Sequence, residues 1–387
     1  MSLLLLIGLI LLLVLGTCAS CGWERKETMN REVWFWLLLL LAISLLFPNR
    51  WLGAVTACVA VGMLLCRDSW VLLRSVLIPA LALASTYLAL APSMERWMVR
   101  PVLWTGVGIG VYLGIRCAVS LWLGRAYAWR LEGWWGVWKW QETGDRWSAP
   151  TCGQWNLMHL RALCAVTLAA LAGLCLLDQW WALAAAPLCL VPLLPRDWQD
   201  GPSQQETHLH QGWLHLSVVG LALLWFWHPW LSLGGGLAGG AVGLRRWSQW
   251  DSGRSHYWRQ ALRQWWREPW LVRLLGYGTG TWMTVTRSIG EQHRERFTTA
   301  HNEFVQQVVE HGLVGLGALM GFLGTTLWRC AAAGPEGRAV ALLGLVLCSI
   351  AFVNFPWTLP HDYQTCSFGA PSLNTVSVVT LLLSEAV

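Results

Sequence analysis

Long apolar runs recur along almost the whole chain and constrain its fold more than any other feature. A helix needs roughly 20 apolar residues to cross the hydrocarbon core of a bilayer. Helices also satisfy their own backbone hydrogen bonds, as lipid requires. The fold class predicted is therefore an all-α integral membrane protein. By this length rule we predict about twelve transmembrane helices, near residues 2–21, 33–48, 51–66, 70–92, 101–123, 155–177, 179–195, 213–229, 230–244, 304–328, 338–357 and 369–386.

The composition supports a membrane protein. Hydrophobic residues make up 55% of the 387 residues, and charged residues make up only 12%. Soluble domains carry about a quarter charged residues, and a soluble core of this length cannot hide so much apolar surface from water. The 31 tryptophans also fit, because indole prefers the interface between hydrocarbon and lipid headgroups. The composition therefore excludes an ordinary soluble domain.

Three polar segments interrupt the apolar runs, at 124–154, 196–212 and 245–303. They divide the chain into a predicted N-terminal transmembrane bundle, residues 1–150, and a second region, residues 151–387, which contains the longest polar segment. The first polar segment is a loop rich in tryptophan. Such a loop suits either an anchor at the membrane interface or a surface that stacks on sugar rings.

The segment 245–303 carries ten arginines and five acidic residues. Its apolar residues recur every three or four positions, which predicts an amphipathic helix lying on a membrane surface; they are Trp258, Ala261, Leu262, Trp265 and Trp266. Arg259, Arg263 and Arg267 recur every four positions and predict one stripe that faces lipid headgroups.

The side of the membrane on which 245–303 lies is open to two interpretations. The positive-inside rule favours the cytoplasm, but the rule is weak for a segment of about 60 residues. An external segment would need an anionic ligand to explain its charge. Twelve spans and an internal N-terminus place this segment outside, and the same count places Asn156, Arg161 and Gln211 at that face.

A glycine- and arginine-containing progression runs through this segment. Arg254 lies four residues before Trp258, Pro269 follows, and Gly276 and Gly278 flank a tyrosine. Outside this segment, Gly106, Gly110 and Gly114 recur every four residues, which predicts close helix packing; no strand precedes them, so they do not indicate a nucleotide-binding loop.

The progression continues into the next predicted span. His301 and Asn302 are separated by nine residues from Gly312 and Gly315, and Glu310 precedes Gly312 by two positions. Taken together, the stretch from 252 to 328 resembles the C-terminal half of the O-antigen ligase and polymerase superfamily, and weaker similarity extends back to about residue 150. Asn354, Phe355 and Pro356 resemble the family's acid-Phe-Pro stretch, with asparagine in place of the acid.

The resemblance implies a fold and an activity. The implied fold is the GT-C architecture of membrane glycosyltransferases, with one large extracytoplasmic loop that contains the amphipathic helix. The implied reaction is transfer of a glycan from an undecaprenyl-pyrophosphate carrier to an acceptor hydroxyl, with inversion at the anomeric carbon. The implied location is the bacterial inner membrane, with the active site facing the periplasm, and the implied partners are the lipid-linked donor, a glycan or lipid A core acceptor, and membrane lipids.

The resemblance also assigns roles to residues. His301 and Arg254 occupy the catalytic positions of the motif, and Asn302 and Glu310 are expected to bind substrate. Asn156 resembles a conserved entry to a span. The family carries a second arginine where this chain has Gln211, and Arg161 is expected to replace that arginine in space.

The chemistry of these side chains agrees with such a reaction. A neutral histidine is suited to take a proton from an acceptor hydroxyl near pH 7, and arginine can neutralise the charge on a departing diphosphate. The polar loops contain no Asp-x-Asp motif to hold a divalent metal against phosphate, and His208, His210 and His215 are interpreted as solvated. We therefore expect a metal-independent reaction without a cofactor.

Several alternatives stay open at this point. The motif does not distinguish a ligase or polymerase, which we favour, from a protein O-oligosaccharyltransferase. A different class is a non-catalytic transporter or flippase of lipid-linked sugars. A transporter would carry ionisable residues near the bilayer midplane and two related halves. The sequence shows no internal repeat of that kind. No nucleic acid partner is expected.

Overall fold

The structure is a computed structural model. It describes residues 47, 49–65, 95–123, 125–132, 137–145, 157–193, 217–224, 228, 231–232, 234–238, 254–279, 281–282, 285–286, 300, 302–352, 380 and 383–384. The spans predicted near 2–21 and 70–92, and almost all of those near 33–48 and 369–386, lie outside these residues.

Most of the described residues are helical. The helices are α1 (Arg50–Leu65), α2 (Val99–Leu123), α3 (Leu157–Leu176), α4 (Ala186–Leu190), α5 (Arg254–Arg267), α6 (Trp270–Leu275), α7 (Glu303–Ala332) and α8 (Pro335–Ala351). Short 3-10 turns precede α2, at Arg96–Met98, and flank α4, at Trp180–Ala185 and Val191–Leu193. The predicted helical class is confirmed for this part of the chain, with one exception described below.

Two of the described helices are long and apolar enough to cross a membrane. They are Arg96–Val119, with a mean hydropathy of 1.6, and Glu303–Ala332, with a mean hydropathy of 1.4. Three shorter helical stretches are apolar as well, namely Arg50–Gly62, Arg161–Leu176 and Trp180–Leu193. The last of these consists of short 3-10 and α-helical pieces, where the sequence predicted one span over 179–195.

A β-hairpin lies within the segment predicted to be a tryptophan-rich loop. Strand β1 (Arg125–Glu132) pairs antiparallel with β2 (Val137–Asp145), and Trp129 is opposite Trp140. The all-α prediction was wrong for this segment. Tyr127, Trp129 and Leu131 alternate with small or charged residues, and this period of two is typical of a strand.

The chain divides into two compact units, each built from distant parts of the sequence. The first unit consists of Met1–Met94 and Arg254–Thr326, and the second consists of Glu95–Gly253 and Leu327–Val387. The regions predicted from sequence, 1–150 and 151–387, do not coincide with these units, because polar loops mark gaps between spans and do not report which spans pack together.

Small residues let the helices of the second unit approach closely. A Cβ at Gly106 would lie 3.0 Å from the Cβ of Ala170 on α3, and one at Gly173 would lie 3.1 Å from the Cβ of Ala339 on α8. A Cβ at Gly110 would lie 2.8 Å from the Sγ of Cys189. Four-residue glycine spacing in α2 predicts close helix packing, and this is confirmed at Gly106 and Gly110.

In the first unit, α1 packs against α7. Asn49 caps α1, since its Oδ1 accepts hydrogen bonds from the backbone N–H of Trp51 at 3.0 Å and of Leu52 at 3.3 Å. The Asn49 amide reaches Thr326 Oγ1 on α7 at 3.4 Å, and Gly321 gives room for the Trp51 indole. The start of α1 therefore lies beside the C-terminal part of α7.

Candidate active site

Helix α5 has one buried face and one charged, exposed face. Trp258, Ala261 and Trp265 are buried, while Arg259 and Arg263 are exposed. This confirms the predicted amphipathic helix and its exposed arginines. Trp266 was predicted to belong to the apolar stripe, but its side chain is 62% exposed. Helix α5 begins at Arg254, and for this residue the structure describes only the backbone.

The buried face of α5 holds the chain that leads into α7. Trp258 Nε1 donates a hydrogen bond to the carbonyl of Ala300 at 2.6 Å. The backbone N–H of Ala300 donates to Gln306 Oε1 at 3.2 Å. Both backbone groups of Ala300, which is buried, are therefore bonded, one to α5 and one to α7.

Asn302 is the N-cap of α7. Its Oδ1 accepts a hydrogen bond from the backbone N–H of Val305 at 3.0 Å, and its carbonyl accepts one from the N–H of Gln306 at 3.0 Å. Glu303 follows in the first turn, where a negative charge complements the helix dipole. Asn302 is 2% exposed. The asparagine of the motif thus sets where α7 begins.

His301 itself lies outside the described residues, but both of its neighbours are fixed. Ala300 is bonded to Trp258, which is one helical turn after Arg254 and so on the same face of α5. Asn302 caps α7. The structure therefore connects α5, through Trp258, to the turn that leads into α7.

The carboxylate of Glu310 is buried and accepts hydrogen bonds from other groups of the protein. Its Oε1 accepts hydrogen bonds from the backbone N–H of Trp282 and from Gln306 Nε2, each at 3.3 Å. Gln306 also binds Ala300, so a chain of hydrogen bonds connects the Ala300 turn to Glu310 along one face of α7. Through these bonds the Glu310 carboxylate positions the turn at Ala300.

The glycines of the motif form a contact between two backbones. Gly312 interrupts α7 with a φ of 65°, and Gly276 has a φ of 77°. A Cβ at either position would collide with the other segment's backbone, and the Tyr277 N–H donates to the Val309 carbonyl at 3.0 Å. The Gly278 N–H donates to the Glu310 carbonyl at 2.9 Å. These glycines therefore serve close packing at a kink.

Thr279 connects this kink to α1. Its N–H donates to the Gly62 carbonyl at 3.0 Å, and its hydroxyl donates to the Val59 carbonyl at 2.9 Å. The same Oγ1 lies 2.8 Å from His311 Nε2. Since the hydroxyl proton goes to Val59, Nε2 must carry the proton and donate to Thr279. The sequence does not indicate that Thr279, His311 and Gly62 form a cluster, because they come from three separate segments.

Tyr277 closes the other side of this loop. Its hydroxyl donates to Glu268 Oε1, at the end of α5, at 3.0 Å. Burial raises the pKa of the Tyr277 hydroxyl above its ordinary value, and the hydrogen bond to Glu268 and its negative charge raise this pKa further. The phenol therefore stays protonated and keeps α5 connected to the glycine loop.

The predicted site residues fall into two groups. Asn302, Glu310 and the backbone of Arg254 belong to the first unit, whereas Arg161 belongs to the second unit, where it is 3% exposed on α3. Asn156 and Gln211 lie outside the described residues. Their predicted substrate contacts stay predictions. Within the described residues, no group of three His, Cys, Asp or Glu side chains is placed to hold a metal.

Over the residues that the structure describes, the fold and the site define a mainly helical protein with two helices of membrane-spanning length. Its arginine-bearing amphipathic helix is hydrogen-bonded to the turn that begins the longer of the two. In sequence comparisons, no protein-family model and no curated protein matches this chain.

Replacing Trp258 with phenylalanine is expected to lower the free energy of unfolding by about 1–3 kcal/mol, because the buried Ala300 carbonyl loses its donor while the aromatic ring is kept. Thermal unfolding of the purified protein in detergent measures this. Trp266→Phe is the matched control, since Trp266 is exposed, and it should unfold like the wild type. Equal stability of the Trp258→Phe variant and the wild type would contradict the importance of this bond.

Proposed function

We propose that this protein transfers a glycan from an undecaprenyl-pyrophosphate carrier to an acceptor hydroxyl. The observation that supports the proposal most is the hydrogen bond from Trp258 to Ala300, because it connects the helix that begins with Arg254 to the residue before His301. His301 is the next residue in the chain after Ala300. The motif residues that the resemblance assigns to catalysis thus come from neighbouring parts of one unit.

The proposed reaction uses His301 as general base and Arg254 as the pyrophosphate ligand. His301 takes the proton of the acceptor hydroxyl as its oxygen attacks the anomeric carbon of the donor. The bond between that carbon and the phosphate oxygen breaks, and the carrier pyrophosphate leaves with the bonding electrons. Arg254 neutralises the charge that develops on this oxygen. Attack opposite the leaving group inverts the anomeric carbon, and no metal takes part.

Two helix N-termini support anion binding at this place. Helix α5 begins at Arg254 and α7 begins at Glu303, and the N-terminal end of a helix carries a partial positive charge. A pyrophosphate between them would also meet backbone N–H groups. The geometry favours positioning roles for Asn302 and Glu310, since Asn302 caps α7 and Glu310 accepts bonds from Trp282 and Gln306.

The proposed setting is the bacterial inner membrane, with about twelve spans in a GT-C-like arrangement and the segment 245–303 on the periplasmic side. The proposed acceptor is a glycan or lipid A core, as for a polymerase or ligase. Arg161, Gln211 and Asn156 are proposed to contact the donor or acceptor. A protein serine or threonine as acceptor, and a flippase without chemistry, are the competing proposals.

Reconstituted proteoliposomes test the proposed function. With an undecaprenyl-pyrophosphate-linked glycan and a glycan acceptor, we expect a glycosylated acceptor and one molecule of carrier pyrophosphate released for each transfer, at a rate unaffected by a chelator of divalent metals. A flippase would instead move the donor between leaflets without consuming it. That result would replace the proposal.

A further inference from the structure

The junction of α5 and α6 exposes large apolar side chains. Helix α5 ends at Arg267, and Pro269 turns the chain before α6 begins at Trp270. Trp266 is 62% exposed, Trp270 is 65% exposed and Leu271 is 52% exposed. We call this junction, together with the exposed arginines of α5, the α5–α6 elbow; its residues are Arg259, Arg263, Trp266, Arg267, Trp270 and Leu271.

The exposed indole and the arginines of α5 share one side of the helix. At about 100° per residue, Trp266, Arg259 and Arg263 fall within roughly 60° of one another around the helix axis. The opposite side carries Trp258 and Trp265, which are buried. Two arginines and then an indole thus follow one another along a single exposed stripe.

Arg273 of α6 gives this surface a fixed geometry. Its guanidinium carbon lies 5.3 Å from the centroid of the Trp266 ring, which is a cation–π contact. Arg273 Nε is buried and has no hydrogen-bond partner among the described residues. Phosphate oxygens are acceptors that the fork of a guanidinium binds well, so the partly exposed Arg273 adds a further cation to this surface.

We propose that the α5–α6 elbow binds the headgroup layer of an anionic phospholipid leaflet. The arginines bind lipid phosphates, and Trp266, Trp270 and Leu271 insert at the boundary between headgroups and acyl chains, as amphipathic interfacial helices do. This interaction goes beyond glycan transfer, because it anchors the segment that carries Arg254 to the lipid surface. The one acidic residue at the junction, Glu268, is held by the Tyr277 hydroxyl at 3.0 Å.

Charge argues against a second copy of the chain as the occupant. A symmetric dimer brings the same surface of both subunits together. Contact through the elbow would place two rows of arginines opposite each other, and like charges repel. An anionic leaflet has the complementary charge.

Photo-crosslinking of the full-length protein tests this proposal. A photoreactive phenylalanine analogue replaces Trp270, and the protein is placed in nanodiscs of zwitterionic lipid with anionic lipid added. We expect lipid adducts that are enriched in the anionic lipid. In the same protein carrying Arg263→Gln and Arg267→Gln, the enrichment should fall by roughly fivefold for each arginine removed. Arg50→Gln is the matched control, since Arg50 is exposed at the start of α1, and should leave the enrichment unchanged.

Three results would overturn the proposal. They are adducts to protein, adducts to water alone, and lipid adducts whose headgroup composition does not respond to the two arginine substitutions. A His301→Ala variant separates this test from that of the proposed function. We expect the lipid adducts at position 270 to persist in the His301→Ala variant. The elbow proposal therefore holds even if the protein turns out not to transfer glycans.

Discussion

Glycan transfer by the His301→Ala variant is expected to be about 10²–10⁴-fold slower than by the wild type, the range that general acid–base catalysis contributes. Alanine cannot take the proton of the acceptor hydroxyl, whereas the N-cap of α7 on Asn302 and the Trp258–Ala300 bond do not involve the imidazole. Formation of the glycosylated acceptor in proteoliposomes measures the rate, and membrane yield and thermal unfolding should be unchanged.

His256→Ala is the matched control for this experiment. His256 is an exposed histidine on α5, within one turn of Arg254, and its loss should leave the rate near that of the wild type. Normal transfer by His301→Ala, with a folded protein in the membrane, would remove the general-base assignment. An equal loss in both variants would point to a role of this surface in acceptor binding.

The second large effect is expected for Arg254→Ala, in which kcat should fall by about 10²–10³-fold, as when one group that stabilises transition-state charge is removed. Arg254→Lys should recover only part of the rate, because lysine keeps the charge but not the paired hydrogen bonds to phosphate. Single-turnover measurement with saturating donor separates this chemical step from donor binding.

Arg50→Ala serves as the comparison for Arg254, since it removes an exposed arginine of the first unit that lies outside α5 and the elbow. Its single-turnover rate should match that of the wild type. If the Arg254→Ala variant binds the donor weakly but reacts at the normal rate, Arg254 contributes equally to binding the donor and the transition state. That result would contradict a role in stabilising the leaving group.

Hydropathy located the long helices well. The predicted spans 101–123 and 304–328 correspond to α2, Val99–Leu123, and α7, Glu303–Ala332. Such helices depend only on the length and apolar content of their own segment, so the sequence is enough to predict them. The hairpin β1–β2 escaped prediction because its tryptophans fit an interfacial loop equally well, and only pairing between two segments distinguishes a strand.

The site was only partly predictable. Asn302 before an apolar run indicates a helix start, and the amphipathic period of α5 is visible in the sequence. The bond from Trp258 to Ala300 spans 42 residues, and Thr279 joins Val59 and His311 from two other segments. Contacts between distant segments leave no periodic pattern and no fixed residue spacing in the sequence. Their partners are defined only when the helices pack.

The backbone contact between Gly276 and Gly312 bears on how a bulky substrate could enter. No side chain lies between the two segments, and both are joined by backbone hydrogen bonds at Val309 and Glu310. Neither segment can shift a little and stay bonded, because there is no flexible group between them to adjust. For the lipid-linked donor that we propose, we therefore expect entry along other borders of the first unit, because this junction moves as one piece.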